Sequence, residues 1–84
     1  MTRLWHALKL VNVRTDEAGR PTSFQLMGKQ DHVARICNYW KLDDNWWRKP
    51  TQRDYYKLQT ASGLLCVIYH ERSDDTWYLE RMFD

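Results

Sequence analysis

Few of the 84 residues could do chemistry, and they are scattered. Cys66 and His70 lie four positions apart, a spacing that converges on a helix but spans about 13 Å on a strand. Cys37 and His32 are no better placed. In their surroundings, Arg35-Ile36-Cys37 and Leu65-Cys66-Val67, both cysteines read as buried reduced thiols. Ser23, Ser62 and Ser73 are the candidate nucleophiles, yet none sits in a nucleophile-elbow pattern. Asp43-Asp44 and Asp74-Asp75 could act as paired carboxylates, but neighbours on a strand face opposite ways. The three glycines are too far apart to cradle a phosphate. The residues therefore point away from catalysis, and no metal or other cofactor is expected.

Binding chemistry is better represented. Asn45-Trp46-Trp47-Arg48-Lys49-Pro50-Thr51-Gln52-Arg53-Asp54-Tyr55-Tyr56-Lys57 sets four cations and four aromatic rings against one acid. Interleaved rings and cations suit single-stranded nucleic acid, where stacking contributes about 1–3 kcal/mol per base. Tyrosine, tryptophan and arginine are equally the residue types that dominate protein–protein interfaces. Trp46, Trp47, Arg48, Lys49, Arg53 and Tyr55 are thus the candidate binding residues. A plainer reading also stands: Trp46, Trp47 and Tyr56 close the open end of the core, and Arg53 stacks on a ring or pairs with a carboxylate.

The elements that would position these residues are strands. Asp54-Tyr55-Tyr56-Lys57-Leu58-Gln59-Thr60 and Leu64-Leu65-Cys66-Val67-Ile68-Tyr69-His70 flank Ala61-Ser62-Gly63, a three-residue hairpin loop whose last position needs a left-handed residue. After the polar Glu71-Arg72-Ser73-Asp74-Asp75, residues 76–83 complete an antiparallel meander. Its middle strand is apolar on both sides, so the first half of the chain must cover one face. Upstream, residues 8–13 read as a strand, 16–21 as its turn and 23–26 as the return. Residues 28–31 form a second turn. Residues 32–40 fit both helix and strand spacing, with β-branched and aromatic content favouring strand. Residues 43–52 read as a loop. The chain is expected to be one all-β domain, residues 1–84: a small antiparallel, strongly curled sheet or SH3-like barrel of five to six strands, closed to protect its edges.

Composition limits the partners. Thirteen basic against eleven acidic residues leave a net charge of +2, too little to hold nucleic acid through charge alone. At 14% aromatic residues with three glycines and two prolines, disorder is excluded. No apolar run approaches membrane-spanning length, and the N-terminus lacks a signal-peptide core, so a cytoplasmic location with no membrane partner is expected.

Pro21-x-x-Phe24, Val33, Trp46-Trp47, Arg53-x-Tyr55-Tyr56, Gly63-Leu64, Tyr69 and Trp77-Tyr78-Leu79 closing in Phe83-Asp84 form an ordered series. Over residues 19–84 it resembles a small bacterial module found beside, or at the end of, Y-family error-prone DNA polymerases and their mutagenesis-cassette relatives. The resemblance implies a non-catalytic accessory role in DNA damage tolerance by translesion synthesis. It implies a protein partner, a Y-family polymerase or its cassette partner, with direct contact to single-stranded DNA as the alternative. No catalytic residue is carried over, because that module lies outside the polymerase domain.

Overall fold

Tight turns with left-handed residues set the register of this chain. In the loop 61–63, Gly63 has φ +95°, its N–H donates to the Thr60 carbonyl (3.0 Å), and Thr60 N–H donates to the Leu64 carbonyl (2.8 Å). This is the three-residue hairpin that the sequence predicts. The same device recurs in the turn 16–20, where Gly19 has φ +84° and the Asp16 carboxylate accepts from the Ala18 and Arg20 amides.

The computed structural model describes residues 2–26, 28–44 and 51–83, with side-chain surroundings for 8–26, 28–43 and 51–83. Among them are seven strands and no helix: β1 (Thr2–Lys9), β2 (Val11–Thr15), β3 (Pro21–Leu26), β4 (Lys29–Asp44), β5 (Thr51–Thr60), β6 (Leu65–Glu71) and β7 (Thr76–Phe83). The order across the antiparallel sheet is β1-β7-β6-β5-β4-β3-β2. Only Leu10 separates β1 from β2, so the two outermost strands are joined in sequence and the sheet curls into a nearly closed barrel.

The strand count exceeds the expected five to six because the N-terminal strand begins at Thr2 and breaks at Leu10. Leu10 N–H donates to the Trp77 carbonyl (2.9 Å), and its side chain is buried. Beyond it the chain leaves β7 and pairs with β3. Residues 32–40 are strand. β4 turns a corner: residues 29–32 pair with β3, and residues 33–44 pair with β5 through two bulges. The expected turn at 28–31 is shorter, since Lys29 already pairs with Leu26. Of the expected loop 43–52, residues 43–44 and 51–52 are paired strand, and 45–50 lie outside the described residues.

Two apolar layers sandwich the sheet. Inside, Leu10, Phe24, Tyr56, Leu58, Cys66, Ile68 and Leu79 form the core, with Val33, Ile36 and Trp77 packed against it. Full enclosure of a Leu or Ile side chain stabilises the fold by about 1.5–3 kcal/mol. The first half of the chain covers this inner face of β6, as its apolar alternation demands. The other face is covered differently, for Tyr55, Val67 and Tyr69 cluster with Tyr78 and Phe83 from neighbouring strands. Cys66 is buried, and burial pushes its thiol up to about 12. Cys37 corrects the expectation of two buried thiols: it is exposed. Ile36 pairs with Leu58 and Asn38 with Lys57, leaving Cys37 as the unpaired bulge residue, turned out of the core.

Candidate binding site

Four consecutive ring pairs lie on adjacent strands: Tyr39-Trp40, Tyr55-Tyr56, Tyr69-His70 and Trp77-Tyr78. Strand alternation sends one ring of each pair inward and one outward. The outer row is Trp40–Tyr55–Tyr69–Tyr78, with successive centroids 5.3, 5.0 and 5.2 Å apart. Each neighbour in it is a direct cross-strand pair. The inner row runs Tyr39–Tyr56 (5.0 Å), Tyr56–Trp77 (5.8 Å) and Trp77–His70 (4.6 Å). Such contacts add about 0.5–1.5 kcal/mol each beyond area burial.

Trp46, Trp47, Arg48 and Lys49 lie outside the described residues. The structure places the other two candidates together in the outer row. Tyr55 is only 6% exposed, so its ring offers no face to a base. Arg53 sits over the Tyr69 ring (4.6 Å), donates to Tyr55 Oη (3.2 Å), and donates through Nε to Glu71 Oε1 (2.7 Å). Burial alone would raise the Glu71 carboxyl, but Arg53 and the Gln52 amide outweigh it and hold it below its usual value. Arg53 therefore stacks on a ring and pairs with a carboxylate, as in the plainer reading, and Tyr55 is buried beside it. Among the described residues Trp40 ends the row, and it is 39% exposed.

The strand carrying Trp40 is unusual in a second respect. Among the described residues no strand pairs with the other side of β4 from Val33 to Asp44. Beyond the second bulge, residues 38–44 keep an unbroken register with β5, a regular free edge about 23 Å long. The direction of its amides follows from alternation. Thr60 and Gln52 bond toward the β6 side, so the odd-numbered residues of β5 bond toward β4. Asn38, Trp40, Leu42 and Asp44 are their partners, which turns the N–H and C=O groups of Tyr39, Lys41 and Asp43 outward. The Tyr39 N–H is taken by Asn38 Oδ1 (2.8 Å).

The inner side of this edge opens into a slot. A cavity of about 780 Å³ lies between β2 with its turn and the inner faces of β4, β5 and β6; Asn12, Ala18, Tyr39, Lys41, Tyr56 and Arg72 are among its walls. A second of about 630 Å³, shared through Ala18, Tyr39 and Tyr56, continues to Ile36 and Arg20. Charges at its mouth are mostly paired. Arg72 bonds Asp43 (2.5 Å) and approaches Asp54 (3.5 Å), while Tyr39 Oη donates to Asp54 (3.3 Å). His70 pairs with Asp75 (2.7 Å), and Arg20 with Asp16 (3.0 Å). Burial and then the Asp54 charge raise the Tyr39 and Tyr56 phenols, Tyr56 to about 12, so both stay neutral at physiological pH. Cys66 and His70 face inward on β6, and among the described residues no three His, Cys, Asp or Glu side chains group closely enough to hold a metal ion. Ser62 donates to Asp31 (2.5 Å) and ties the 61–63 turn to the start of β4.

Tyr39, Trp40, Lys41 and Leu42 are absent from the residues singled out in the sequence. The recurring ring pair was the available signal, since Tyr39-Trp40 matches Tyr55-Tyr56 and Trp77-Tyr78 on strands. No family model, curated protein or solved structure matches the chain.

Proposed function

We propose that this chain is a non-catalytic binding module that works by protein–protein contact through the second half of β4. One observation carries the reading: Tyr39, Trp40 and Leu42 are 44%, 39% and 41% exposed within four residues of one strand. Large apolar groups held out on a rigid strand are the type of anchor that dominates interface energies. Several ionisable groups nearby are engaged with one another, Arg72 with Asp43 and Asp54 and His70 with Asp75. The comparisons supply no link to the polymerase family that residues 19–84 resemble, and the resemblance serves only to choose the first partner. A Y-family polymerase or its cassette partner, in a cytoplasmic translesion complex, is that choice.

The test is binding of the purified partner to immobilised chain. Trp40→Ala with Leu42→Ala should weaken it at least about tenfold while the melting transition stays cooperative. Unchanged binding by that folded variant contradicts the reading. Single-stranded DNA is the second reading, favoured by the exposure of Trp40 with Arg35 exposed on the same outer side. Quenching of tryptophan emission by an oligonucleotide, steeply weakened by salt, would favour it over protein contact.

A further inference from the structure

We infer that a second copy of this chain pairs with the β4 edge, antiparallel and about a two-fold axis at Leu42. The inference goes beyond the protein-contact reading and does not depend on it, since it concerns the main-chain edge rather than the outer rings. Every residue from 37 to 43 is exposed, and among the described residues no strand pairs with the outward side of this stretch. An unpaired strand edge is a template for another strand, and folds usually blunt it with bulges, lysines or a covering element. The bulges of β4 are confined to residues 33–38. At 39 the edge is closed in another way, because Asn38 Oδ1 already holds the Tyr39 N–H (2.8 Å). Among the described residues beyond it, the outward groups ready to pair are those of Lys41 and Asp43, and Leu42 lies midway between them.

The order of charges along the strand, not their sum, selects the occupant. In an antiparallel pair centred on Leu42, Lys41 of each copy lies opposite Asp43 of the other, and the two exchange main-chain bonds. Lysine therefore meets aspartate on both sides of the axis, because Lys41-Leu42-Asp43 read backwards swaps its charges. Among the described residues Lys41 has no carboxylate partner of its own. Arg72 bonds Oδ1 of Asp43 (2.5 Å), and a carboxylate accepts at both oxygens. On the outer face Leu42 meets Leu42 at the axis, and position 44 falls opposite Trp40, so no like charges stand face to face. Other axes fit less well. At Trp40 or Lys41 the pairing needs the Tyr39 N–H, and at Lys41 or Asp43 it sets like charges directly opposite. A two-fold pair uses one surface twice, so self-complementarity of this short segment is sufficient. Pairing over residues 40–44 makes a contact at the weak end of specific interfaces, below about 1,200 Å² in total, so dilute chain stays monomeric.

The experiment uses the full chain, isotopically labelled, at low salt and from about 10 μM to about 1 mM. Sedimentation should show the mass rising toward that of a dimer, with hydrogen exchange of the Lys41 and Asp43 amides slowing in step. Lys41→Glu and Asp43→Lys each set like charges across the axis and should weaken self-association at least about tenfold. An equimolar mixture of the two variants restores opposite charges at both positions and should associate about as tightly as the unaltered chain. Cooperative melting of each variant keeps the comparison among folded chains. A chain that stays monomeric at about 1 mM overturns the inference, as does association that leaves both amides fast. A mixture that associates no more tightly than its separate components also overturns it, because the register pairing Lys41 with Asp43 is then wrong.

Discussion

Trp40 and Tyr55 lie face to face across β4 and β5, with ring centroids 5.3 Å apart and planes 3° from parallel. Tyr55 is enclosed by the rings and cation of its neighbours, while Trp40 is largely exposed. One stacked pair thus spans the boundary between the part of the outer row that holds the fold and the part free to bind.

That boundary has an energetic signature. Tyr55→Ala removes a buried ring from the middle of the row and should destabilise the chain by about 3–5 kcal/mol. Trp40→Ala removes only the terminal stack and should cost about 1 kcal/mol. Denaturant unfolding of the two variants measures the difference, and similar losses would show that Trp40 belongs to the core.

Glu71 gives the fold a defined acid sensitivity. It accepts from Arg53, from the Gln52 amide (3.1 Å) and from Ser73 (3.2 Å), and its carboxyl titrates below its ordinary value. A lowered folded value means full stabilisation above the unfolded carboxyl value, near 4.3, and loss as pH falls through the folded one. Glu71→Gln should therefore cost about 1–3 kcal/mol at pH 7. The gap between the two proteins should narrow as pH falls below the unfolded carboxyl value. Melting curves across that range check it.

The meander was legible because its signals are local. Only glycine meets the φ of +95° at position 63 without strain, and a Cβ built there would touch nothing, so the constraint is purely one of backbone. The two-sided apolar pattern of β6 likewise requires two covers, and both exist. The free edge was not legible, since whether a strand has a second partner depends on where β3 stops pairing with β4. The bulge at Cys37 was hidden for the same reason: the apolar Ile36 beside it in sequence says nothing about an inserted residue. Arg53 and Tyr55 stood out by composition, yet cross-strand pairing with Glu71 and Tyr69 gave them to the fold. Tyr39 and Trp40 drew no notice within a segment that fitted two periodicities.

The cysteines should separate chemically. Cys37 is exposed, whereas Cys66 is enclosed with a thiol raised to about 12. At pH 8, iodoacetamide should modify Cys37 in native protein and reach Cys66 only after denaturant is added. Mass spectrometry of the peptides distinguishes them. Equal rates would show that the core around Cys66 opens readily.

The free edge of β4 is tested most directly by native-state hydrogen exchange on dilute chain with no partner present. Trp40 and Leu42 donate toward β5, whereas Lys41 and Asp43 donate outward. The prediction is alternation along one strand: slow exchange at 40 and 42, and fast exchange at 41 and 43. Uniform protection across residues 40–43 would show that another strand already occupies this edge, and would contradict the account.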